Sequence, residues 1–97
     1  MPTSFINWQN HESEIRKRAR YCLLHELEGS VMVVFEEDDT FIKGIMLPPF
    51  AAGKRNYASY FQLDKSVVEN RLTDRVLDLT SDFDSALSFL HQAAKVA

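Results

Sequence analysis

Gly53, Lys54 and Arg55 stand together between Phe50 and Tyr57. A glycine beside two cations is what a loop needs if backbone N–H groups and positive charge are to close on a phosphate. The nucleotide-binding P-loop, G-x-x-x-x-G-K-[ST], needs an earlier glycine for the turn and a hydroxyl to reach the metal. Here the first glycine position holds Pro48 and the hydroxyl position holds Arg55, so that chemistry is excluded. "RNYASYFQ" matches the RNP1 pattern of RNA-recognition motifs at Arg55, Tyr57 and Ala58. It departs at Asn56, Ser59 and Gln62, and no family is assigned from it.

The remaining reading of this stretch is generic. Phe50, Lys54, Arg55 and Tyr57 share one connection, and aromatics with arginine are the side chains enriched at interaction hot spots. The same types suit a platform on which single-stranded bases stack. Arg16 and Arg20, in the basic run "RKRAR", join them as candidate partner-binding residues. Against this stands the plainer reading, a solvated connection and a solvated helix face. Glu12 with Arg16 and Glu14 with Arg18 are spaced i,i+4 in the order that stabilises a helix.

Catalytic and metal chemistry find less support. Cys22 and His25 are spaced like one half of a zinc site, but no second Cys/His pair completes four ligands. Cys22 also falls on an apolar stripe, where a cysteine acts as a small hydrophobe. Asp38 and Asp39 can be drawn as a metal pair and more simply as turn residues. With His11 and His91 added, no nucleophile, base and oxyanion donor assemble. No metal, cofactor or enzymatic activity is expected.

Charge is segregated along the chain. The net charge is -3, yet Arg16, Lys17, Arg18 and Arg20 cluster early, and residues 26–39 then carry six acids and no base. Overall acidity disfavours a dedicated duplex-DNA binder, whose basic excess would release condensed counterions.

The elements that must hold these residues follow from periodicity. Ile15, Ala19, Cys22, Leu23 and Leu27 recur at three and four, which predicts a helix from His11, capped by Asn10, to a stop at Gly29. "SVMVVFEEDDTFIKGIML" predicts a hairpin with the acids at its turn, ended by Pro48 and Pro49. The wholly apolar run from Val31 to Phe35 points to a strand covered on both faces or central in its sheet.

"NYASYFQLD" is a third strand, with Tyr57, Phe61 and Leu63 opposite Ala58, Tyr60 and Gln62. "DKSVVENRL" reads as a short helix or a turn, with Ser66 and Glu69 resembling a capping box. "RVLDL" is a fourth strand. "SDFDSALSFLHQAAK" is an amphipathic helix, with Leu87 and Leu90 central in its apolar stripe.

The expected fold is α+β, a small two-layer sandwich with a mainly antiparallel sheet of about four strands between N-terminal and C-terminal helices. Its order is α-β-β-β-(turn or short α)-β-α, in a single domain over residues 1–97. No long apolar run or basic leader with an apolar core is read, and the lone cysteine agrees with a reducing compartment, so the expected location is cytoplasmic without a membrane.

The expected function is a non-catalytic protein-protein interaction module: an adaptor, inhibitor or regulatory subunit that binds another protein and forms a homodimer through exposed sheet edges. The alternative is a nucleic-acid-binding module using the basic first helix and the Lys54/Arg55 loop.

Overall fold

The computed structural model describes residues 5–49 and 57–96. The chain runs β1 (Phe5–Asn7), a 3-10 turn (Trp8–His11), α1 (Glu12–Arg18), β2 (Tyr21–His25), β3 (Ser30–Glu37), β4 (Phe41–Leu47), β5 (Tyr57–Asp64), α2 (Lys65–Thr73), β6 (Leu77–Thr80) and α3 (Phe83–Val96). The strands form one six-stranded sheet in the order β1-β5-β4-β3-β2-β6, with every neighbouring pair antiparallel. The α+β class and the helix, strands, helix order are as expected, with β1 added ahead of the first helix. The sheet has two more strands than expected, β1 and β2.

β2 is the main correction. The helix expected to run to Gly29 stops at Arg18, Ala19 turns extended (φ -65, ψ 125), and Tyr21–His25 is a strand between β3 and β6. Both faces of β2 are covered, Cys22 on one and Leu23 on the other. An apolar run buried on both faces lacks alternation, so its spacing passes for a helical stripe. Gly29 lies in the β2–β3 turn with φ 72 and donates its N–H to the His25 carbonyl. That left-handed conformation carries little penalty for glycine. The helix start is corrected too: His11, not Asn10, holds the N-cap position, without a side-chain cap.

The register sorts the side chains into two cores. On one face Val31, Val33, Ile45 and Leu47 pack with Trp8 from the 3-10 turn, Ile15 from α1, and Phe83, Ala86 and Leu90 from α3. On the other, Leu23, Met32, Val34 and Ile42 pack with Val68 from α2 and Leu77 from β6. The two-layer expectation is therefore extended, because α2 lies on the face opposite α1 and α3. β3 is buried on both sides, as its apolar run requires.

Local chemistry fixes the remaining joints. A bulge between Val34 and Glu36 shifts the β3–β4 register. Just before it Gly44 lies against β3 so closely that a Cβ would collide with the Val33 carbonyl. Asp38 and Asp39 make the hairpin turn, where the Asp38 N–H donates to the Phe41 carbonyl. α2 is capped by Asp64, whose carboxylate accepts from the Ser66 N–H and hydroxyl, rather than by Ser66. Asp82 does the same for α3, accepting from the Asp84 N–H and the Ser85 hydroxyl.

Candidate functional site

The residues singled out by sequence fall into three groups. Phe50, Lys54 and Arg55 lie outside the described residues, as does most of the connection they share. Tyr57 opens β5 and is 41% exposed, on the sheet face that α2 covers. Arg16 and Arg20 lie elsewhere. Arg16 is engaged within the fold: its guanidinium pairs with Asp84 at 2.7 Å and Glu12 at 3.7 Å and lies 4.9 Å from the centre of the Phe83 ring. It thereby ties α1 to the start of α3, on the face opposite Tyr57. Arg20 donates its backbone N–H to the Val34 carbonyl, while its side chain is exposed beside the acidic hairpin.

The half zinc site dissolves. Cys22 and His25 are on a strand, not a helix, so a spacing of three sends them to opposite faces of the sheet. Cys22 is 1% exposed, and burial pushes its thiol up to about 11, with a smaller contribution from the Asp82 charge. The His25 Nδ1 accepts from the Glu28 N–H at 3.2 Å, which ties the β2–β3 turn together.

Among the described residues, an apolar groove with the shape of a site lies where α2 crosses β2 and β6. It encloses about 550 Å³, within the range of pockets that take ligands or anchoring side chains. Leu23 and Ile42 form the floor, Val68 and Leu72 the α2 wall, and Leu79 the far wall. The floor residues are fully buried, but Leu79 is 57% exposed. Why Leu79 is there follows from register. It pairs with Leu23, so it points to the α2 side of the sheet, on a strand that is the sheet's edge among the described residues.

One end of the groove is polar. Tyr21 lies beside Leu23 on β2 and donates its hydroxyl to Glu37, whose carboxylate also pairs with Lys65 at 2.9 Å. Burial, then the Glu37 charge, holds the Tyr21 hydroxyl above its ordinary range. The hydrogen bond to Glu37 raises Lys65, and Asp39 is near enough to add to that. A charged pair hydrogen-bonded to a tyrosine at the mouth of an apolar slot is an arrangement able to orient a polar group. It supplies no nucleophile with an adjacent base.

A second surface lies on the opposite face, past the end of α1. Arg18 sits 4.4 Å from the centre of the Phe35 ring, Lys43 sits 5.0 Å from that of Phe41, and Tyr60 is 52% exposed beside them. Glu14 and Glu36 line the same hollows, so the cations do not form a purely positive field.

Sequence reading missed both surfaces because it ran the first helix through β2. With β2 taken as helix, Tyr21 and Leu79 had no shared neighbour, and the end of α1, which sets Arg18 beside Phe35, was misplaced. The signal for the groove was Leu77 and Leu79, two apolar residues spaced i,i+2 on a short strand and so on one face, with more apolar side chain than a four-residue edge strand buries.

No protein-family model matches the chain, and comparison with curated proteins and with solved structures finds no match.

Proposed function

We propose that this protein is a non-catalytic interaction module that binds another protein through the groove between α2 and β6. The observation that carries the reading is Leu79, a large apolar side chain more than half exposed beside an apolar slot whose floor is buried. An exposed leucine alone is ordinary, but one that walls a preformed apolar pocket is an anchor site in waiting. The charge pair and tyrosine at the mouth supply the polar rim that such interfaces have. A reducing, cytoplasmic setting goes with this reading, since Cys22 is a buried free thiol.

The second reading is single-stranded nucleic acid on the Arg18, Phe35, Lys43 and Tyr60 surface, favoured by an exposed tyrosine among cations. It ranks lower because Glu14 and Glu36 share those hollows and the acidic hairpin is adjacent.

Affinity capture from the native cell with three baits separates the readings. Leu79→Asp, at an exposed position that leaves the cores intact, is expected to lose the captured protein, while Tyr60→Ala keeps it. Loss with Tyr60→Ala and retention with Leu79→Asp would overturn the assignment. Nuclease-sensitive capture would favour the second reading.

A further inference from the structure

Resting on the groove reading, we infer that its occupant is a basic amphipathic helix of a partner protein, presenting leucine-type side chains flanked by arginine or lysine. The sheet edge argues against an added strand. β6 is only four residues long, and the Leu79 amide donates to the Asp78 carboxylate at 3.0 Å. A donor already taken by its neighbour's side chain cannot join a new ladder, a device that blunts edges. What the edge offers is therefore side-chain surface, and the slot between a helix and a sheet receives the apolar stripe of a helix in the manner of helix-in-groove recognition.

Charge selects the sign of the flank. Lys65 is held by Glu37, and Arg20 is close enough to lower the Tyr21 hydroxyl. Against these two cations stand three carboxylates, Glu37, Asp39 and Glu69. Glu69 is the one that matters. It lines the α2 wall one turn from Lys65, which is drawn across to Glu37 instead, and among the described residues Glu69 has no ion-pair partner. A cationic side chain entering beside the apolar stripe meets that carboxylate, whereas an anionic one is repelled.

The test uses the full chain and fluorescently labelled helical peptides that carry the same leucine stripe flanked either by arginines or by glutamates. Anisotropy is expected to show binding of the arginine peptide, weaker by about two- to fivefold for the glutamate peptide, the size of one exposed ion pair. Glu69→Lys is expected to reverse that order, and Leu79→Asp to abolish both; thermal melts of the two variants check that each is folded. Equal binding of the two peptides, or an order unchanged by Glu69→Lys, overturns the charge inference while leaving the groove as a binding site. Binding of neither peptide overturns the helix inference. If, in addition, Leu79→Asp still captures the native partner, the groove reading falls with it. Self-association of the wild type abolished by Leu79→Asp would make a second copy the occupant, and would overturn the inference.

Discussion

At the scale of single residues, the same side-chain type does different work according to the face it reaches. Arg16, Arg18 and Arg20 were one basic run in the sequence. Folded, Arg16 ties α1 to α3, Arg18 lies on Phe35, and Arg20 stands by the acidic hairpin. Nothing in "RKRAR" encodes that division, since it depends on where α1 ends. Cys22 was legible, because its place among apolar residues holds whether the segment is helix or strand. Its buried thiol makes a prediction with a definite sign. Between the ordinary value of 9.0 and about 11, the unfolded chain releases a proton that the folded chain keeps. Stability is thus unaffected below pH 9 and falls as pH rises through that window, and Tyr21, also raised, acts in the same direction at higher pH. Urea denaturation at a series of alkaline pH values, with Cys22→Ala as reference, should show a steeper loss for the wild type. A thiol reagent should label Cys22 at pH 8 only as fast as the protein unfolds; immediate labelling would mean that the thiol is accessible.

At the scale of elements, periodicity succeeded where an element has one buried face. α3 was read correctly because its apolar stripe is narrow, and the alternation of Tyr57, Phe61 and Leu63 against Ala58, Tyr60 and Gln62 matches the β5 register. It failed at β2, where both faces are buried and the pattern carries no period. It was ambiguous at α2, whose weak amphipathicity reflects a single buried residue, Val68, on a helix lying across the sheet. The α3 stripe can be graded further than the sequence allowed. Leu90 is 1% exposed within the larger core, while Leu87 only packs against it. Leu90→Ala is expected to cost about 2 to 5 kcal/mol in denaturant unfolding, and Leu87→Ala clearly less. Equal losses would mean that the helix is rotated from its described position.

At the scale of the whole molecule, the α+β class followed from element order alone, but the sites depend on which elements share a face. Two cores on opposite sides of one sheet leave two marginal regions, the α2–β6 groove and the surface past α1, and each combines apolar side chains with charge. A homodimer through the sheet edges would pair short strands: among the described residues one edge strand has three residues and the other four, and Asp78 occupies the Leu79 amide. Among the described residues no helix is long and apolar enough to cross a membrane. What distinguishes the groove is that its wall is exposed while its floor is not, so a partner gains apolar contact without repacking the core. The most direct measurement is amide chemical-shift mapping of isotope-labelled protein titrated with the captured partner. The account predicts perturbations centred on Leu23, Ile42, Val68, Leu72 and Leu79, with Tyr21 and Glu69 at their margin. Perturbations confined to Arg18, Phe35, Lys43 and Tyr60, with the groove silent, would contradict it.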